Sequence, residues 1–196
     1  MTTCAGDYQT SERMALKLKA TPLPADLTDK SVLDVGCDHG FWSHLASERG
    51  ASRVLGIDRG RGVRGAGFVD LVARNRAQGW LRCEFAHADV GKEWPAFGRF
   101  DVVLALAIYH HLFGNCGDHE RIWQWFRDHT AEGGLLLWDG PLDLTDPVAR
   151  MRAKLQPGKP YDRRTIIGAA ERYYVVEDLG PALYRKGRTV LRCAPK

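Results

Sequence analysis

Val32-Leu-Asp-Val-Gly-Cys-Asp-His-Gly40, followed by Phe41 to Arg49, decides the fold. Its first half belongs to a short run, Ser31 to Val35, without polar alternation, the pattern of a strand buried on both faces. Gly36 and Gly40 let the chain turn sharply and let a ligand approach the backbone closely. Phe41 to Arg49 then has helical spacing. The same order recurs outward from this unit. Arg53-Val-Leu-Gly-Ile57 is a second run, and the stretch after it, as far as Gln78, has mixed periodicity. Arg82-Cys-Glu-Phe-Ala86 is a weaker strand and Phe100 to Ile108 the strongest one. Glu120 to Thr130 is a predicted helix that stops at Glu132-Gly-Gly134, and Leu135 to Trp138 is a fifth run. Upstream, Arg13 to Ala20 reads as a short helix broken by Thr21-Pro-Leu-Pro24.

Short apolar runs separated by helices predict a parallel sheet covered on both sides, a doubly wound α/β fold. Tyr173 to Glu177 and Thr189 to Cys193 bracket Gly180-Pro181 and Lys186-Gly187, which predicts an antiparallel pair at one edge. In such sheets ligands bind outside the carboxyl ends of the strands, near the switch in strand order.

The 196 residues suit one domain, and 44% hydrophobic with 27% charged residues excludes wholesale disorder. No apolar run approaches the roughly 18 residues that cross a bilayer. Met1 to Thr10 has no secretory pattern, so a cytoplasmic protein is expected. Five cysteines (Cys4, Cys37, Cys83, Cys116, Cys193) at irregular spacing argue against a disulfide framework and a four-cysteine zinc site. The net charge of +4 is unevenly spread: residues 1–149 carry 16 basic against 20 acidic side chains, and residues 150–196 carry 12 against 4. A basic C-terminal quarter suits an anionic partner or a solvated face.

The loops after the strands carry the chemistry. A dinucleotide fingerprint needs G-x-G-x-x-G; from Gly36 this chain supplies Asp38 and Phe41 where glycines should stand. Asp34 and Asp38 flank the place of a pyrophosphate, and like charges repel there; an ammonium and a sulfonium would be welcome instead. A P-loop fails because no Gly-Lys-Ser/Thr follows. Asp58, at the tip of the second run, is placed to accept the hydroxyls of a ribose. Ala88-Asp89-Val90, after the third, offers a carboxylate and an amide to the edge of an adenine. Each acid alone is more often a surface or capping residue; the three together, in order, are not easily coincidental.

Val32 to Gly40, Val54-Leu-Gly-Ile-Asp58, His87-Ala-Asp89, Phe100-Asp-Val-Val-Leu104 and Glu132-Gly-Gly-Leu-Leu136 together resemble the successive motifs of class I S-adenosylmethionine-dependent methyltransferases. The resemblance spans roughly residues 30–140 and implies a seven-stranded Rossmann-like sheet whose last strands are antiparallel. It implies S-adenosyl-L-methionine across the strand ends, with Asp34, Gly36 and Gly40 at its methionine part, Asp58 at the ribose, Asp89 with Val90 at the adenine and Arg59 against the adenine ring. Cys37, Asp38 and Leu106 complete the expected cofactor site. Asp38 departs from the family, where many members have a second glycine. The expected organisation is an N-terminal helical cap (1–29), a cofactor-binding core (30–140), a substrate lid (141–172) and a C-terminal hairpin (173–196).

Leu106-Ala-Ile-Tyr-His-His-Leu112 should border the transferable methyl group. Histidine titrates near neutrality and suits a general base, so His110 and His111 are the catalytic candidates, His110 slightly preferred; bracing the loop is the plainer role for either. His110, His111, Cys116 and His119 match no established zinc spacing, and no metal is expected. Trp123, Trp125 and Phe126 sit at helical spacing and are expected in the core. Arg150, Arg152, Lys154, Lys159, Arg163 and Arg164 make the expected lid basic, suited to a phosphorylated or carboxylated small molecule or to an RNA backbone. A faint similarity to the methyltransferase portion of wobble-uridine tRNA-modifying enzymes keeps RNA in view. The absent Asn-Pro-Pro-Tyr signature disfavours exocyclic amines. The expected acceptor is a small molecule methylated on oxygen; the alternatives are an RNA methyltransferase, a nicotinamide- or nucleotide-sugar-dependent enzyme and a silent cofactor-binding module. Tyr8 and Arg13 stand where an N-terminal segment could fold over the cofactor.

Overall fold

The computed structural model describes residues 12–60 and 83–196. The stretch of mixed periodicity running to Gln78, together with Cys4, Tyr8 and the side chain of Arg13, lies outside the described residues. Seven strands, β1 (Ser31–Val35), β2 (Arg53–Asp58), β3 (Cys83–His87), β4 (Phe100–Leu106), β5 (Thr130–Gly140), β6 (Tyr174–Pro181) and β7 (Thr189–Pro195), form one sheet in the order β3-β2-β1-β4-β5-β7-β6. The first five pair in parallel, and β7 runs antiparallel to both β5 and β6. The expected doubly wound α/β architecture is present, and its C-terminal hairpin enters with the second strand innermost. Strand order reverses between β1 and β4, which places the ligand-binding crevice at their carboxyl ends.

Side-chain alternation along β1 separates two cores. Val32 packs with Phe41, Trp42 and Leu45 of α2 (Phe41–Glu48). Leu33 and Val35 pack instead in the cluster holding Tyr109 and Phe113 of α3 (Tyr109–Cys116) and Ile122, Trp123, Trp125 and Phe126 of α4 (His119–His129). Those aromatics are core, as their spacing predicts; the Trp125 indole N–H donates to the Pro95 carbonyl at 3.0 Å. Asp118 caps α4 by accepting from the Arg121 amide at 3.0 Å. Among the described residues three further short helices are present: α1 (Glu12–Ala20), α5 (Pro147–Ala153) and α6 (Arg163–Ala170).

Several boundaries differ from the sequence reading. β6 runs on to Pro181 instead of ending at Glu177, so Gly180-Pro181 lies in the strand and not in the turn. β5 starts at Thr130 rather than Leu135, because the glycine pair lies in a bulge, with a register shift between Phe100 and Val102, instead of ending the helix in a free turn. A Cβ at Gly134 would lie 2.8 Å from the Ala131 carbonyl and 2.9 Å from that of Asp101, so this approach of two strands needs glycine. β4 ends at Leu106 rather than Ile108: Ala107 takes φ 63° and turns the chain out of the sheet, its amide donating to the Asp139 carbonyl at 2.7 Å. A non-glycine residue held in that region is strained, a condition that clusters at functional sites.

Candidate functional site

The crevice at the strand ends is a cavity of about 320 Å³. Its described wall takes Asp34 to Asp38 from the first loop, Ile57 to Arg59 from the second, Ala88 to Val90 from the third and Leu106 to Ile108 from the fourth. His39 just before α2, Phe41 and Trp42 at its start, His111, Leu112 and Asn115 of α3 and Lys17 of α1 close the rest.

Register explains why the acids converge. Asp34 pairs with Gly56 across β1 and β2. It shares the face of Val32, pointing toward α2, where the Ser43 hydroxyl donates to it at 2.7 Å. A Cβ at Gly56 would lie 2.6 Å from the Phe85 ring and 2.9 Å from the Ser43 oxygen, so glycine there makes room for the serine that holds Asp34. Asp34 is fully buried, and burial pushes its pKa up to about 6 against the pull of Ser43 and of the Lys17 charge. The amides of Gly36 and Cys37 donate to the Ile57 carbonyl at 2.8 and 3.0 Å and lock the glycine loop onto β2. Gly36 has φ 73°, and a Cβ on it would stand 2.6 Å from Ile108 Cδ1, so first and fourth loops meet only because no side chain intervenes.

Asp58 accepts from the Asp38 amide at 3.1 Å and the Gly60 amide at 2.8 Å. A carboxylate has about four acceptor positions, so two remain for a diol. Asp38 has φ 48° and an exposed side chain. Asp89 pairs with Lys92 at 2.9 Å, and Asn115 donates to both Asp89 and the Val90 carbonyl at 3.3 Å. Burial and the neighbouring acids push the Cys37 thiol up, leaving it a neutral wall residue. Arg59 lines the cavity, its carbonyl facing the His87 ring at 3.0 Å. Gly40 is not in the wall; with φ 75° it starts α2, its amide donating to the Cys37 carbonyl at 2.7 Å.

The two histidines separate. His111 lines the cavity, whereas His110 is 1% exposed and does not. Burial drives the His110 imidazole far below its usual range, and burial with the Arg152, Arg59 and Arg188 charges brings His111 to about 4. Both are neutral near pH 7. The Nδ1 atoms of both are buried without a hydrogen-bond partner among the described residues. His119 is structural: its Nδ1 meets the Tyr109 hydroxyl at 2.6 Å and its Nε2 the Pro160 carbonyl at 2.8 Å. Among the described residues no group of three histidine, cysteine or acidic side chains is placed to hold a metal.

Sequence reasoning missed Lys17, Trp42 and Asn115. Asn115 was within reach, because it lies four residues after His111 and so shares its helix face. It also missed a buried network at the end of β5. Asp139 is fully buried, accepts from the Tyr184 hydroxyl, and burial raises its pKa to about 6. Asp146 lies between Arg185 at 3.0 Å and Arg188 at 3.3 Å while capping α5. Of the basic residues in 141–172, Arg163 pairs with Asp178 at 2.5 Å and Arg150 donates to the Leu144 carbonyl at 3.0 Å.

Residues 7–173 match the family described as "Methyltransferase domain". The chain is 34% identical over 88 residues to the ubiquinone biosynthesis O-methyltransferase of Pseudomonas paraeruginosa, a match spanning 45% of this chain and 36% of that protein, so it covers about a third of the relative's length. An S-adenosylmethionine-dependent methyltransferase from Mesorhizobium loti superposes with a TM-score of 0.64 at 20% identity, over 95% of this chain and 99% of that one. The N-methyltransferase NodS of Bradyrhizobium japonicum, in complex with S-adenosyl-L-homocysteine, gives 0.58 at 13% identity, over 98% and 88%.

Proposed function

Because the chain belongs to the methyltransferase domain family, and S-adenosyl-L-methionine is the methyl donor of the enzymes built on this fold, we propose that the cavity holds that donor and that the protein methylates oxygen on a small anionic molecule. One observation carries the donor site: aspartates 34, 38, 58 and 89, from three strand ends, border a cavity with apolar floor residues Val35, Ile57 and Leu106. Cations and hydroxyls satisfy such a ring; a pyrophosphate would meet repulsion from it. In this reading Asp34, Gly36, Cys37 and Asp38 surround the methionine part, with Gly40 shaping their loop. Asp58 takes the ribose, Arg59, Asp89 and Val90 the adenine, and Leu106 the floor beneath the sulfonium.

When bound, the donor supplies a methyl group on a positively charged sulfur that leaves readily. The protein then has to align an acceptor and exclude water. Residues 141–172 pack over α3, Gln156 donating to the Gly114 carbonyl at 3.0 Å, and serve as the lid. His111, neutral and in the wall, takes the acceptor's proton; His110 supports the loop from beneath. A small acceptor methylated on oxygen accords with the name of the O-methyltransferase that matches 88 residues. RNA is the second reading, favoured by the exposed Lys154, Lys159 and Arg164.

Calorimetry with S-adenosyl-L-methionine, S-adenosylhomocysteine and NAD tests the donor site. The first two are expected to bind and NAD is not; binding of NAD alone would overturn the assignment. Bulk tRNA separates the acceptors: affinity falling steeply with salt supports RNA, and no binding at low salt removes it.

A further inference from the structure

Three arginines act on His111: Arg152, Arg59 and Arg188. Arg188 is already engaged by Asp146. Arg152 and Arg59 make no ion pair with a carboxylate among the described residues, and Arg152 Nε is buried without a hydrogen-bond partner there. Buried donors are nearly always paired in native proteins. Three other arginines of the C-terminal half do have carboxylate partners: Asp178 for Arg163, Glu120 for Arg172 and Glu177 for Arg192.

Gly114 shows that the position of Arg152 is built. Glycine inside a helix costs about 1 kcal/mol relative to alanine, yet α3 carries one, buried, where a Cβ would stand 3.1 Å from both Cβ and Cδ of Arg152. The glycine lets the arginine stem lie flat against α3, one turn from His111. A planar guanidinium offers paired N–H donors that match a carboxylate or a phosphate.

We propose that Arg152, which lies against Gly114 of α3 and outside the residues that line the cavity, supplies an anion subsite beside His111, so that the acceptor carries a carboxylate or phosphate close to the oxygen that receives the methyl group. This rests on the methyltransferase reading and adds the chemistry of the second substrate. An anion there would also offset the arginine charges that weaken His111 as a proton acceptor.

The full chain, saturated with S-adenosylhomocysteine, is titrated calorimetrically with 3-hydroxybenzoate, with its neutral methyl ester and with inorganic phosphate; the first and last probes distinguish carboxylate from phosphate. At least one anion is expected to bind ten times more tightly than the ester. Arg152→Gln should remove that preference, Arg152→Lys should keep part of it, and Gly114→Ala, which leaves the arginine in place but lifts its stem, should weaken it several-fold. S-adenosylhomocysteine affinity should stay within twofold in all three. Ester and anions binding alike, or an unchanged preference in a folded Arg152→Gln protein, would overturn the subsite. So would salt-dependent binding of bulk tRNA, lost in Arg152→Gln, with neither small anion bound. Failure of wild-type protein to bind S-adenosylhomocysteine would instead overturn the donor site, and the subsite with it.

Discussion

Replacing Asp34 with asparagine separates a carboxylate kept for a ligand from one kept for the fold. The side chain is fully buried and titrates near 6 instead of 3.8, chiefly through burial. The folded protein therefore holds this proton more tightly than the unfolded chain does. The group favours folding fully below about pH 4, and that contribution is lost as pH rises to about 6. At roughly 1.4 kcal/mol per pH unit, keeping Asp34 charged costs the ligand-free protein about 3 kcal/mol at pH 7.5. The asparagine amide oxygen can still accept the Ser43 hydroxyl, so Asp34→Asn should raise the unfolding free energy from urea melts at pH 7.5 by an amount approaching that figure. Donor binding should move the opposite way. If the charged form receives the donor's ammonium, wild-type affinity for S-adenosylhomocysteine should fall about tenfold from pH 7.5 to pH 5, where roughly a tenth of Asp34 is ionised. The asparagine variant should bind weakly and without pH dependence over that range. Titration calorimetry and urea melts at matched pH values supply both readouts. Wild-type affinity in Asp34→Asn, or a ligand-free variant less stable than wild type at pH 7.5, would refute the reasoning.

Gly36→Ala forces a Cβ to within 2.6 Å of Ile108 at a φ of 73°, and should cost about 1–3 kcal/mol in urea melts and most of the S-adenosylhomocysteine binding. His111→Gln should leave that binding within twofold and lower turnover of any acceptor found by metabolite screening about a hundredfold. His110→Ala, at a site 1% exposed, should cost about 1–3 kcal/mol of stability instead. Asp146→Asn leaves Arg185 and Arg188 without their shared carboxylate and should destabilise by about 3–5 kcal/mol, read as a lower urea midpoint.

The fold was legible because parallel strands buried on both faces leave short apolar runs, Phe100 to Leu106 above all, and their recurrence between helical stretches fits a covered parallel sheet. The acids were legible because each lies at or just beyond the carboxyl end of such a run. Which histidine faces the cavity needed the phase of α3. Tyr109, Leu112 and Phe113 form its apolar stripe, leaving His111 and Asn115 together on another face, a pattern present in the sequence and not used there. Lys17 was illegible for a different reason. It lies on a helix remote in sequence from every motif, and only the packing of α1 over the sheet carries it to the cavity. Arg152 likewise depends on where α5 meets α3. Glu132-Gly-Gly134 misled because a glycine pair serves a helix stop and a strand bulge equally well.

The placement of β7 between β5 and β6 has a consequence for how the molecule is made on the ribosome. β6 precedes β7 in the chain but joins the sheet only through it, so it has no strand partner until β7 has paired with β5. Until Thr189 to Pro195 emerge, the flank of β5 that will pair with Val190 to Cys193 stays bare, a template for another nascent chain. A polypeptide truncated before Thr189 keeps that flank bare for good, and rapid aggregation of such truncated chains follows.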